Sequence, residues 1–495
     1  MWYECLNPEC FKVFRSRNIP SECPECGGTI LQSVEREENA QTGYSQKDLV
    51  RKGLDLFWKE NREESRFRAY SYFKEAAENK DPEGLFYLGV CLEFGYGVQA
   101  DPKQAARCYR KASEAGNHSG TCSLAYCYLN GTGVKEDPQK AVELYRIAAE
   151  SGNLRAQTNL GVSYSRGIGV EYSPRKAFFW YYLAAEMGYV PAMLRLAACY
   201  RNGFGVRKNL KEALYFYRIL EKRPEADALV AIGAFYEAGE AGLSQDEKKA
   251  WDYYRVASAM GNTEAQWRLG RCCEHGIGVE QDPEQAVEYY RAAAQNGSPE
   301  AQNELGKFYE FGKGGLIQDY ERAFDCYRLA ALQGLSEAFF RLALCYAKGK
   351  GTERDLKRAA NLFERAADGE NPPAQYFLAK AYRSGKGVEK DREKALYWMK
   401  RSAKNGYPDA SLILGRWAFH QNYISQAIYF FRKYEKQTGG KSACSCYYLG
   451  RCFLKDISNP KNKEKGVSLV RKAERFNQGV YSRMSAVFLK RLCGS

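Results

Sequence analysis

One column of residues governs what this chain can fold into. Leu88, Leu124, Leu160, Leu196, Ile232, Leu269, Leu305, Leu342, Leu378, Leu414 and Leu449 follow one another at intervals of 35, 36 or 37 residues. A unit of that length holds two short helices and two turns, and a single hairpin of this kind exposes apolar faces that only stacked neighbours can bury. The register therefore predicts an all-α solenoid of about twelve antiparallel helix hairpins. A length of 495 residues, with 45% hydrophobic and 27% charged, suits repetition better than one small core.

Each unit carries its own punctuation. GYGVQADPKQA from Gly95 returns as GTGVKEDPQKA from Gly131, GIGVEQDPEQA from Gly276 and GKGVEKDREKA from Gly385. A Gly-x-Gly before a helix can cradle phosphate, but such a loop normally occurs once, and an Asp at the helix mouth repels the anion. The first glycine is instead expected to be a left-handed C-cap of helix A. Asp101, Asp137, Ser173, Asn209 and their equivalents are expected to be N-caps of helix B.

Small residues such as Gly89, Ala125 and Gly161 follow the marker Leu, and Tyr128, Tyr164 and Tyr200 stand four residues after it. In helix B an Ala precedes Tyr109, Tyr145 or Tyr181 by four. Small against large at helical spacing predicts buried seams.

Of the 17 cysteines, Cys91, Cys127, Cys199, Cys272, Cys345 and Cys452 share one column, three residues after the marker. Stacked helix axes lie roughly 8–10 Å apart, beyond the roughly 4.4–6.8 Å Cα separation of a disulfide, so these read as small buried hydrophobes. No run approaches the roughly 18 apolar residues that span a bilayer, and MWYECLNPEC lacks the apolar core of a secretion signal. No membrane partner and a cytoplasmic location are expected.

The assembled pattern, A-x-x-x-L-G-x-x-Y-x-x-G-x-G-V-x-x-D-x-x-K-A-x-x-Y-Y-x-x-A-A, resembles the Sel-one-like repeat (SLR), a relative of the tetratricopeptide repeat. The match is close over residues 83–406, and EAQWRLGRCCEHGIGVEQDPEQAVEYYRAAAQNG from Glu264 is nearly a consensus copy. The resemblance implies right-handed superhelical stacks that serve as interaction scaffolds, frequently in bacterial signalling, envelope regulation and host contact. Departures mark the ends: WAFHQNYISQA at Trp417 loses the Gly-x-Gly, and AGEAGLSQDEKKA at Ala238 displaces Gly242 by one residue. The expected plan is a zinc-ribbon-like domain (1–33), a polar linker (34–47), a capping hairpin (48–82), the solenoid (83–438) and a divergent C-terminal repeat and cap (439–495).

At the N-terminus, Cys5 and Cys10, then Cys23 and Cys26, form two close pairs twelve residues apart. Paired cysteines at such spacing predict a structural zinc held by four thiolates, which supplies folding energy to some thirty residues too few to bury a core. CPECGG resembles the knuckle of zinc-ribbon and rubredoxin-like domains. The first pair departs from that pattern, with four intervening residues and Phe11 where Gly is typical. The alternative is a thiol-rich tail.

Tetratricopeptide-like solenoids line their concave surface with helix A. Two helix-A columns avoid the seams, one immediately before the marker Leu and one two residues after it. The latter runs Val90, Tyr126, Val162, Ala198 and Ala234, then Arg271, Lys307, Leu344, Lys380, Arg416 and Arg451; the former adds Arg195, Arg268 and Arg341. These columns predict a track for a protein or extended peptide, apolar in its N-terminal half and basic, hence suited to an acidic partner, in its C-terminal half. The alternative is a solvated face in a chain of net charge +14.

Catalysis is not expected. The three histidines His118, His275 and His420 have no partnered nucleophile in sequence, and Ser-x-x-Lys at Ser71, Ser173 and Ser458 lacks any Lys-Thr-Gly. The leading function is a non-enzymatic scaffold. A nucleic-acid-binding adaptor acting through Lys12, Arg15 and Arg17 of the ribbon is disfavoured by the 60 Asp and Glu that offset 74 Lys and Arg. A penicillin-binding or hydrolase-like cysteine-rich SLR protein would require export and oxidised cysteines.

Overall fold

The computed structural model describes residues 2–5, 13–15, 30–33, 46–59, 63–223, 225–440, 442–455, 460–476 and 479–492. Strands β1 (Trp2–Cys5), β2 (Val13–Arg15) and β3 (Ile30–Ser33) form an antiparallel sheet in the order β2-β1-β3, with Tyr3 opposite Phe14 on one side and Gln32 on the other. The chain divides into two compact units, Met1–Asn262 and Thr263–Ser495.

The first unit contains six helical hairpins. They are α1 (Gln46–Lys59) with α2 (Glu63–Glu78), α3 (Pro82–Phe94) with α4 (Pro102–Glu114), and α5 (His118–Asn130) with α6 (Pro138–Glu150). Next come α7 (Leu154–Arg166) with α8 (Pro174–Glu186), α9 (Val190–Asn202) with α10 (Leu210–Glu221), and α11 (Ala226–Ala238) with α12 (Glu247–Ala259).

The second unit repeats the scheme. Its hairpins are α13 (Thr263–His275) with α14 (Pro283–Gln295), α15 (Pro299–Phe311) with α16 (Tyr320–Leu332), and α17 (Ser336–Lys348) with α18 (Leu356–Asp368). They continue as α19 (Pro372–Ser384) with α20 (Arg392–Lys404), α21 (Pro408–His420) with α22 (Ile424–Thr438), and α23 (Ala443–Lys455) with α24 (Pro460–Arg475), before α25 (Gly479–Leu492). Among the described residues this makes the twelve hairpins expected and one further helix.

The predicted punctuation forms the helix ends. The Asp101 carboxylate accepts from the Gln104 amide at 2.9 Å, and Asp137, Asp246, Asp282, Asp319, Asp355 and Asp391 cap their helices in the same way. Helix A ends at a left-handed glycine, as at Gly95 with φ 73°.

The second glycine has a separate cause. A Cβ on Gly133 would lie 1.9 Å from the carbonyl oxygen of Pro102, the first residue of α4 in the preceding hairpin; Gly169 and Gly205 press on Pro138 and Pro174 alike. This glycine is where one repeat touches the backbone of the last. At the irregular turn Ala241, not Gly242, occupies the equivalent position, with φ 58°.

The seams are built as the small-against-large pattern requires. A Cβ on Gly270 would sit 2.6 Å from the Tyr290 ring, and Gly89 with Tyr109, Gly161 with Tyr181 and Gly306 with Tyr327 repeat the contact. The marker-column cysteines are buried and form no disulfides, and burial pushes the Cys91 and Cys127 thiols up to about 12.

An amide relay also ties neighbouring hairpins. Gln302 Nε2 donates to the Ala294 carbonyl and its Oε1 accepts from Gln333; Gln375 does likewise between Ala367 and Asn405. Gln157 donates to Ala149, yet its buried Oε1 has no partner because the donor position holds Met187. Met187→Asn, at a helix end shaped like that of Asn405, is expected to raise stability by about 1 kcal/mol in urea denaturation.

Candidate partner-binding surface

The tyrosine stripe of helix A is less buried than a core stripe. Tyr128, Tyr164 and Tyr382 are buried, whereas Tyr200, Tyr236, Tyr309 and Tyr346 are half-exposed. A cation from the first turn of helix B covers most of these rings: Lys140 lies 4.5 Å from the Tyr128 centroid, Lys249 5.4 Å from Tyr236, and Arg322 and Arg358 each 5.7 Å from Tyr309 and Tyr346. Where the tyrosine is replaced by Cys273 or Leu92, the cation is replaced by Gln285 or Gln104. The Cys273 thiol then donates to Gln285 at 3.1 Å. Lys249, Arg322 and Arg358 also pair with the carboxylates that cap their helices, Asp246 at 3.1 Å and Asp319 and Asp355 at 3.4 Å.

In the first unit the column two after the marker presents Val90, Val162, Ala198 and Ala234 half-buried, with Tyr126 exposed; Arg195 is also exposed. In the second unit the basic positions other than Arg271 fall into two groups.

Arg268, Lys307 and Arg341 are each held by a carboxylate of their own helix, Glu264 at 2.8 Å, Glu304 at 2.7 Å and Glu337 at 2.9 Å. Such pairs are common one turn apart and leave little net charge exposed. Arg268 and Arg271 also flank Trp267, each 5.7 Å from its ring.

Lys380, Arg416 and Arg451 differ, because no described carboxylate pairs with them. Lys380 stands 5.2 Å from the Tyr376 ring, and Arg416 5.7 Å from Tyr448 and 6.0 Å from Tyr481. Arg451 lies 5.0 Å from Phe419 and 5.3 Å from Phe488, and donates to the Tyr447 hydroxyl at 3.2 Å. A groove of about 760 Å³ opens beside it, lined by Tyr447, Arg483, Met484, Val487 and Phe488. An aromatic ring preorganises a guanidinium while leaving its N–H edge for an anion.

The aromatic backing was absent from the sequence reading, although it has a signal. Trp267, Tyr376 and Tyr447 each precede a track cation, Arg271, Lys380 or Arg451, by four residues.

The other sequence candidates are placed as follows. His118 begins α5, and His275 and His420 end α13 and α21. Ser71 donates to the Phe67 carbonyl within α2, Ser173 caps α8, and Ser458 lies outside the described residues. Cys10, Cys23 and Cys26 also lie outside them, and Cys5 is described only as the last backbone position of β1. Among the described residues no three His, Cys, Asp or Glu side chains gather to hold a metal, and no helix is long and apolar enough to cross a membrane.

The Sel1 repeat pattern matches residues 62–81, 82–117, 119–153, 154–189, 190–220, 226–262, 263–298, 299–335, 336–371, 372–407 and 445–475. It omits α21 and α22, the hairpin whose turn lost its Gly-x-Gly. A protective antigen present in uropathogenic Escherichia coli strains, displaying an SLR fold, is 27% identical over 91% of this chain and 95% of its own, with a TM-score of 0.54. A Sel1 repeat protein from Oxalobacter formigenes is 28% identical over 65% of this chain and 94% of its own, with a TM-score of 0.43. An immunity protein from Pseudomonas aeruginosa is 23% identical over 44% of this chain and 82% of its own, at a TM-score of 0.31. Comparison with curated proteins finds no match.

Proposed function

The chain belongs to the Sel1 repeat family, and from that premise we propose that it is a non-enzymatic scaffold whose helix-A surface binds an acidic protein or extended peptide. Sel1 and tetratricopeptide-like repeats are typically protein-interaction scaffolds. The observation that carries the finer reading is the set of aromatic-backed cations without carboxylate partners, Lys380, Arg416 and Arg451. Arg268, Lys307 and Arg341 belong to the same columns, but their own acids already compensate them, so they set register rather than affinity.

The N-terminal module is proposed to hold one structural zinc through Cys5, Cys10, Cys23 and Cys26. The cysteine spacing supports this, and the antiparallel strands flank it: Cys5 closes β1, Cys10 precedes β2, and Cys23 and Cys26 precede β3. Four thiolates leave no open coordination position, so the zinc supplies folding energy and no reaction.

Affinity capture with two full-length baits, the natural chain and Cys23→Ser/Cys26→Ser, tests both parts when bound zinc is quantified on each. About one zinc per natural chain, lost in the variant, is expected from a four-thiolate site. The partner should be retained by both baits. A partner lost together with the zinc would move recognition to the N-terminal module, and retention on nitrocellulose of labelled RNA that persists at high salt would favour the nucleic-acid reading instead.

A further inference from the structure

Helix α25 stands where a further helix A would stand. In α3, α5, α19 and α23 the marker leucine is the seventh residue, and the seventh residue of α25 is Ser485, fully buried and one repeat length after Leu449. The two columns of the track, one before the marker and two after it, therefore continue onto α25 as Met484 and Val487. Loss of the marker leucine conceals this continuation in the sequence.

These side chains are open to solvent. Met484 is 37% exposed, Val487 52%, and Val480, one turn before Met484, 62%. Residues at such spacings lie on one stripe of a helix. The stripe forms one side of the groove of about 760 Å³ whose other side is Tyr447 and Arg451 of α23. Phe488 meets Tyr447 edge to face with centroids 6.3 Å apart, and the Arg451 guanidinium lies 5.5 Å from Tyr447 and 5.3 Å from Phe488. Two rings thus hold that cation against the groove wall.

The charge around the groove has one sign. Arg483 adds a second cation from α25; it is exposed, and no described carboxylate pairs with it. Neither α23, ACSCYYLGRCFLK, nor α25, GVYSRMSAVFLKRL, contains an Asp or Glu. An apolar stripe between two cations without acids is complementary to an apolar side chain flanked by acidic ones. A second copy of this chain would bring the same cations to the same face, so like charges oppose a symmetric pairing.

We infer that the groove between α23 and α25 is an anchoring end of the track, receiving one large apolar side chain of the bound peptide while acidic residues beside it meet Arg451 and Arg483. The inference rests on the peptide-binding reading and adds an apolar requirement that the cations alone do not impose. Met484 is unbranched and flexible, so the groove can shape itself to an aliphatic or an aromatic anchor.

Saturation-transfer NMR on the full chain at constant ionic strength tests it with three N-acetylated peptide amides. Gly-Glu-Phe-Glu-Gly carries both features, Gly-Glu-Ser-Glu-Gly lacks the anchor, and Gly-Gln-Phe-Gln-Gly lacks the charge. Saturable binding of the first, with each analogue at least about tenfold weaker, is expected. Val487→Asp and Arg483→Gln should each weaken the first probe at least about tenfold with an unchanged unfolding midpoint, since both positions are exposed. No saturable binding, equal binding of the anchor-free analogue, or full binding by both variants would overturn the groove. So would a dimer seen by sedimentation, or retention on phosphatidylglycerol vesicles, that Val487→Asp abolishes, because either would assign the stripe to another occupant. Val487 and Arg483 are not among the cations on which the scaffold reading rests, so the capture experiment judges that reading separately.

Discussion

Gly133→Val is expected to lower the unfolding free energy by about 3–5 kcal/mol, more than any surface change in the chain. Two costs combine. Gly133 has φ 71°, a left-handed conformation that a β-branched residue resists by roughly 1–2 kcal/mol. Its Cβ would also lie 1.9 Å from the Pro102 carbonyl oxygen and 2.4 Å from the carbonyl carbon, and backbone cannot rotate aside as a side chain can. Relief would require moving the α5–α6 turn off the N-terminus of α4. Gly152→Ala is the control, because Gly152 has φ 87° and nothing within 4 Å of its missing Cβ. It should cost only about 1 kcal/mol. Urea denaturation of both variants separates the clash from the conformational cost, and equal effects would show that the inter-repeat contact is unimportant.

Tyr290→Ala is expected to cost about 3–5 kcal/mol, and Tyr290→Phe about 1 kcal/mol. The ring is fully buried against Gly270, which has no side chain to fill the space, so truncation leaves a cavity that cannot collapse without breaking the seam. Phe keeps the ring and removes only the 2.8 Å hydrogen bond to Glu274, whose carboxylate is part-exposed and can turn to water. The same urea midpoints measure both. A Phe variant as unstable as the Ala variant would place the seam energy in the hydroxyl rather than in the ring.

The repeat register, the helix ends and the buried seams were legible in the sequence because each depends on residues close along the chain. Asp101 caps the amide three residues on, and Tyr290 meets its own hairpin partner Gly270. The role of the second glycine was not legible, since its contact is the backbone carbonyl of a different repeat and leaves no mark in the identity of Pro102, Pro138 or Tyr320. The cover of Lys140 over Tyr128 crosses from one helix to the next, and its sequence trace is the paired loss of tyrosine and cation at Cys273 with Gln285 and at Leu92 with Gln104.

The basic track was legible as a column and incomplete as a site. Spacing placed Lys307 and Lys380 together, but only the structure separates Lys307, held by Glu304, from Lys380, resting on Tyr376 without an acid.

The central claim is that acidic recognition runs through the aromatic-backed cations of the second unit. The measurement that tests it most directly is the dissociation constant of the captured partner for the natural chain and for Lys380→Gln/Arg416→Gln/Arg451→Gln, each titrated against salt. A loss of at least about a hundredfold at low salt, with a shallower salt dependence in the variant and an unchanged unfolding midpoint, is the predicted result. Unchanged affinity and salt dependence would contradict it.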